Sequence, residues 1–280
     1  MTEKIVVGVT EAPVTRRAVD WAVRRAAHRG QQVELVSVVG GAIGAVGESS
    51  VMATVLDAHR HMLEAEVARS ASSGVHITTR VVAGNPVNVL VEESANAALL
   101  VIGSDYRGPG SGPARGAHGI RVVAASHCPV VVVPDIDIHD RTGVLVGVDG
   151  SPVSEGAIRF AAAEADRLGE PLIAVCVWTP VTAPRNAAMV YPELYLANMQ
   201  RTAEENLALS LAGLRAQYPD LVIDERAVKG YPAAVINALA ADAKLAVIGT
   251  RGRSAVARFL LGSISHEVLQ RVATVTVITR

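Results

Sequence analysis

The residues best suited to chemistry in this 280-residue chain lie between positions 249 and 265. Gly249-Thr250-Arg251-Gly252 follows an aliphatic run, and nine residues later comes Gly262-Ser263. Glycines in such a loop let backbone N–H groups turn toward an anion with no Cβ in the way. Gly262-Ser263 then opens a helix, whose free N–H groups and dipole form a second anion site. Ser263 and Ser265 add hydroxyl donors, while Arg251, Arg253 and Arg258 add positive charge. A loop that cradles and a helix end that caps suit a polyphosphate. The same glycine spacing also fits an ordinary βα loop before a capped helix. Asp149 shifts the balance. It follows a second aliphatic run, residues 144–148, where a carboxylate can accept ribose hydroxyls or hold a metal. Within Asp149-Gly150-Ser151-Pro152 it equally suits a turn or a helix start.

Other chemistries find no pattern. There is no Gly-x4-Gly-Lys-(Ser/Thr) loop, which excludes a P-loop ATPase, and no Gly-x-Ser-x-Gly elbow. His28, His61, His76, His118, His127 and His266 do not have the spacing of a metal cluster. With 26 basic and 27 acidic residues and 3% aromatics, neither a basic groove nor a base-stacking platform for nucleic acid is expected. No apolar run reaches the roughly 18–20 residues that span a bilayer. The opening Met1-Thr2-Glu3-Lys4 does not read as a signal peptide, and Cys128 and Cys176 read as buried thiols. A cytoplasmic protein with a large aliphatic core is the expectation.

The elements that must position these residues come from an internal repeat. Residues 5–10 (IVVGVT) answer 144–149 (VLVGVD) at an offset of 139, and 101–104 (VIGS) answer 247–250 (VIGT) at an offset of 146. The gain of seven places a longer connection between the second and third strands of the second copy. Two domains are expected, 1–136 and 141–280, each reading β-α-β-α-β-α-β-α-β. Unbroken aliphatic first strands imply parallel strands buried on both faces. Ser151-Pro152 supplies an N-cap and first-turn proline, and Gly169 a stop. In the second copy, a long helix is expected through Leu207, Leu211 and Leu214, and a third strand from Leu221. The last helix is expected over 263–272. A final strand at 275–279 partly alternates, as though one face were wetter. Each copy thus folds as a doubly wound parallel α/β sheet, with ligands outside the carboxyl ends of the strands.

Residues 249–263 and Asp149 together resemble the universal stress protein family in its tandem two-domain, actinobacterial form. The family motif Gly-x2-Gly-x9-Gly-(Ser/Thr) is matched in full, and the likeness spans both halves. It implies a Rossmann-like five-stranded sheet of order 3-2-1-4-5 and ATP binding, with or without Mg2+. Carried over, Asp149, preceded by Gly147 and Val148, binds ribose, and Val177 lines the adenine pocket. Gly249, Arg251 and Gly252 lie along ribose and phosphates, while Gly262, Ser263, Ile264 and Ser265 hold the phosphates.

The first copy departs from this pattern. Thr10 stands in place of Asp149, Tyr106 in place of Gly252 and Ala117 in place of Ser263, whereas Gly8, Gly103 and Gly116 persist as a degenerate second site. The implied function is a nucleotide-dependent regulator of the stress response. A weak ATPase or phosphotransferase, a nucleotide-free scaffold and a cyclic-AMP binder are the alternatives. No catalytic residue and no metal site is expected, and the protein partner is not specified. The two domains are expected to form an intramolecular pseudo-dimer through Val130–Val133 and the final strand, and the chain a homodimer.

Overall fold

In a computed structural model, residues 3–40, 48–108, 117–180, 193–250, 252 and 261–280 are described. The chain divides into two units, Met1–Ile136 and Asp137–Arg280. In the first, β1 (Lys4–Val9) carries Ile5, Val6 and Val7, all fully buried, as an apolar run requires when helices cover both faces of a parallel strand. The order continues through α1 (Val14–Arg29), β2 (Gln32–Val39), α2 (Glu48–Arg69), a 3-10 turn at Ala71–Ser73 and β3 (Ile77–Ala83). Then come α3 (Pro86–Ser94), β4 (Leu99–Ser104), α4 (Ala117–Ala125) and β5 (Val130–Pro134). All five strands are parallel, in the order β3-β2-β1-β4-β5.

The second unit repeats this plan with β6 (Val144–Gly147), α5 (Pro152–Leu168), β7 (Leu172–Trp178), α6 (Glu193–Ser210) and α7 (Leu214–Gln217). It closes with β8 (Ile223–Lys229), α8 (Pro232–Ala240), β9 (Leu245–Gly249), α9 (Ser263–Gln270) and β10 (Val275–Thr279). Its order, β8-β7-β6-β9-β10, is again 3-2-1-4-5. Val146 pairs with Ala174 of β7 on one side and Val247 of β9 on the other, so the chain direction of travel reverses at β6. The crevice above β6 is therefore the switch point. The residues separating β7 from β8 number 44, against 37 between β2 and β3, which accounts for the shift of seven in the repeat.

Helix α5 shows why the first loop of this unit is well defined. Ser151 accepts the Ser154 N–H at 3.2 Å, Pro152 takes the first turn, and Gly169 ends the helix in the left-handed region at φ 64°. Ala157, Ala161, Ala162 and Ala165 are fully buried, which lets α5 lie close on β6 and β9. The matching α1 starts after Pro13 with no side-chain cap.

Local expectations are corrected at four places. The helix bearing Leu207, Leu211 and Leu214 is broken, because α6 ends at Ser210 and Gly213 (φ 83°) turns the chain before α7. All three leucines are nonetheless buried, so the apolar spacing reports a shared core and not one continuous helix. The third strand starts at Ile223, and Val222 is 68% exposed. The last helix stops at Gln270, two residues short. All five residues of β10 are buried, including Thr276, whose hydroxyl is satisfied by the Thr274 carbonyl at 2.9 Å. No helix among the described residues is long and apolar enough to cross a membrane.

Candidate functional site

The carboxyl ends of β6, β7 and β9 open into a cleft of about 100 Å³ in the second unit. Its walls are Gly147, Val148 and Asp149 after β6, Val175 and Val177 of β7, Ile248 and Gly249 of β9, and Gly252 beyond. Ser154 of α5, Pro232 and Ile236 of α8, and Ile264 and Ser265 of α9 complete it. Val175, Val177, Pro232 and Ile236 make one region apolar, while Asp149, Ser154, Ser265 and the glycines supply polar groups. This division suits a ligand with a flat apolar part and a charged part.

Asp149 is held in place from both sides. Its Oδ1 accepts the Ser151 N–H at 3.0 Å, closing a turn, and its own N–H lies 3.4 Å from the Ser154 hydroxyl. Oδ2 faces Gly252, where a Cβ would lie only 2.3 Å from it. Oδ1 thus forms the turn while Oδ2 approaches Gly252. Gly252 is the position where glycine is required by close approach, since any side chain must displace the carboxylate. Gly147 is also tight. A Cβ there would meet Ile248 Cγ2 at 3.2 Å and Ile236 Cδ1 at 3.4 Å.

Beyond β9, Thr250 donates its N–H to the Thr279 carbonyl and accepts the Gly262 N–H, both at 2.8 Å. These bonds seat Gly262 as the N-cap of α9, with extended backbone and no side-chain cap. The first turn of α9 thus has no side-chain cap at its positive end. Ser265 is buried and donates its hydroxyl to the Gly249 carbonyl at 2.7 Å. Here its hydroxyl is engaged with the backbone of β9. Ser263 is exposed at the start of α9 and does not line the cleft, nor does Gly262. Arg251, Arg253 and Arg258 lie outside the described residues.

Pro232, Ile236, Val175, Ile248 and Ser154 are cleft residues that motif reading misses. The i, i+4 spacing of Pro232 and Ile236 was available as a signal, but which face of α8 meets β6 depends on packing across the sheet.

In the first unit the corresponding turn survives with other chemistry. Thr10 Oγ1 accepts the Ala12 N–H at 3.3 Å, and the Thr10 N–H donates to Thr15 Oγ1 at 3.1 Å. Tyr106, matching Gly252, is 7% exposed, so its ring is folded into the unit. A Cβ on Gly103 would lie 2.7 Å from Val14 Cγ1, and one on Gly8 3.2 Å from Leu90 Cδ1, so both glycines have packing reasons to be there. Gly116 lies outside the described residues.

Comparisons with known proteins agree with this architecture. The family model described as "Universal stress protein family" matches residues 1–134 and again 141–280. A universal stress protein of Mycobacterium tuberculosis is 31% identical over 99% of this chain and 96% of its own length. Another from Mycobacterium bovis is 33% identical over 95% of this chain and 91% of its own. The crystal structure of a universal stress protein from Archaeoglobus fulgidus superimposes with a TM-score of 0.74 at 16% identity, covering 99% of this chain and 96% of that one, a likeness of fold. With both halves matched and relatives aligned nearly end to end, the chain belongs to the universal stress protein family, carrying two copies of its domain in tandem.

Proposed function

We propose that the second unit binds one adenine nucleotide, ATP foremost, and that its occupancy changes the protein's conformation or partners, making the chain a nucleotide-dependent regulator. The observation that carries this reading is the approach of Asp149 Oδ2 to Gly252, a cradle that a single Cβ would fill. A carboxylate held rigidly at the switch point of such a sheet suits ribose hydroxyls. The apolar walls formed by Val175, Val177, Pro232 and Ile236 suit the base. Phosphates would meet the backbone of Gly249 and Gly252 and the open first turn of α9. Because the Ser265 proton is already engaged, N–H groups and not that hydroxyl would carry the phosphate contact. ATP would bring its own charge and, where present, Mg2+ as a counter-ion.

A binding role is favoured over catalysis by the composition of the cleft. Asp149 is the one ionisable side chain among the described residues that line it, and this reading assigns it to the ribose. Proton transfer to an attacking water needs a second group within reach. A single site per chain is favoured by Thr10 and by the buried Tyr106 of the first unit. Isothermal titration with ATP is expected to give a stoichiometry near one per chain, and Gly252→Glu to abolish binding while circular dichroism stays unchanged. A stoichiometry near two would refute the single site. Undiminished ATP affinity in folded Gly252→Glu would refute the site itself.

A further inference from the structure

Tyr231 occupies a position that ordinarily belongs to a small polar residue. It is the N-cap of α8, in extended conformation, and its side chain makes no capping bond. N-caps favour Asn, Asp, Ser and Thr because their oxygens satisfy the unpaired N–H groups of the first turn. The first unit shows that solution in the same setting. Asn85, between Gly84 and Pro86, caps α3 by accepting the N–H groups of Val87 at 3.0 Å and Asn88 at 3.3 Å. Tyr231, between Gly230 and Pro232, forgoes the cap and instead donates its hydroxyl to Glu267 Oε1 at 2.6 Å. Arg121 stands where Glu267 would be in the first unit, so neither partner of this bond is repeated there.

The bond spans the two helices that wall the cleft. Pro232, next to Tyr231, lines it from α8, and Ile264, one turn before Glu267, lines it from α9. Tyr231 is 53% exposed and Ile264 38%. They are two of five large apolar side chains left in solvent among the described residues; Ile264 lines the cleft, and Tyr231 directly precedes Pro232, which also lines it. A local rule broken beside a cleft, with an aromatic ring tethered by its polar tip, is the pattern of a residue kept for ligand contact.

We propose that Tyr231 is a further ligand-binding residue, its ring closing the apolar end of the cleft against the flat face of the bound base while Glu267 holds it in place. This inference rests on the nucleotide-binding reading of the second unit. Stacking on an aromatic ring tolerates any base, so Tyr231 contributes affinity for the presence of a base and little choice between bases.

Tyr231→Asn separates this role from a merely structural one, because asparagine restores the cap while removing the ring. Without nucleotide, Tyr231→Asn is expected to melt at or above the wild-type temperature, yet to bind ATP about tenfold more weakly by isothermal titration. Tyr231→Phe and Glu267→Gln keep the ring but lose or loosen its tether, and both are expected to fall between wild type and Tyr231→Asn. The inference is overturned if Tyr231→Asn binds ATP as tightly as the wild type. It is also overturned if Tyr231→Phe is as weak as Tyr231→Asn, since the hydroxyl alone would then matter. Failure of the wild-type chain to bind ATP would overturn the nucleotide reading itself, an outcome distinct from either.

Discussion

Substituting Gly252 by alanine tests the contact on which the site depends. The added Cβ would lie 2.3 Å from Asp149 Oδ2, more than 1 Å inside ordinary van der Waals contact. The clash with the carboxylate is the contact at issue. Relief requires the carboxylate to rotate, which loosens the 3.0 Å bond from the Ser151 N–H to Oδ1. An off-rotamer side chain costs about 0.5–1.5 kcal/mol. A hydrogen bond to a charged group is worth about 1.5–3 kcal/mol. With Asp149 turned out of position, ATP affinity should fall by about 1.5–3 kcal/mol, on the order of 10- to 150-fold. The decisive measurement is a double-mutant cycle by calorimetry with Asp149→Ala. Once Asp149 is alanine the clash partner is gone, so Gly252→Ala should then cost less than it does in the wild-type background. Equal losses in both backgrounds would refute the argument that Gly252 acts through the Asp149 carboxylate.

Two further outcomes bear on stability. Ser151→Ala removes the cap of α5 and should cost about 1 kcal/mol, seen as a melting midpoint a few degrees lower; an unchanged midpoint would show that the cap carries no net energy. Glu170 accepts the Gly143 N–H at 2.8 Å and pairs with Lys244. Burial pushes its carboxyl up, but Lys244 and the Gly143 N–H outweigh burial and hold it below the ordinary carboxylate value. A lowered folded-state pKa gives stability that is complete above the unfolded value and lost as pH falls through the folded one. Acid unfolding of Glu170→Gln should therefore be less steep over that window than that of the wild type, and identical acid limbs would contradict the pairing.

Where the fold could be read from sequence, one strand or one helix end carried its own signal. The buried strands announced themselves as unbroken aliphatic runs, and Ser151, Pro152 and Gly169 marked α5 because capping is a matter of adjacent residues. Leu211 misled, since its burial satisfies helical spacing although the chain turns there around Gly213. The glycine motif drew attention to Gly252, but not to the reason for it, because Asp149 lies 103 residues earlier and only the pairing of β6 with β9 brings the two together. Ser265 was legible as a hydroxyl near the loop. Its orientation toward the Gly249 carbonyl depends on how α9 settles onto β9 and could not be read. Pro232 and Ile236 belong to α8, and Tyr231 is its N-cap; the approach of that helix to the cleft is a product of packing alone.

The two copies of the first loop carry a further implication. Thr10 and Thr15 build with hydroxyls the same turn that Asp149 and Ser154 build with a carboxylate and a hydroxyl. The fold at this point therefore asks only for an acceptor two residues ahead of an N–H, and threonine meets that demand. The turn itself does not depend on a negative charge at position 149. In a duplicated chain, one half is then free to discard the charge, carry a buried tyrosine at the position of Gly252 and still fold. Its twin keeps a carboxylate where this turn also accepts a hydroxyl. Turn and charge come apart at a single side chain, which makes the loop a place where the halves of a tandem protein can diverge.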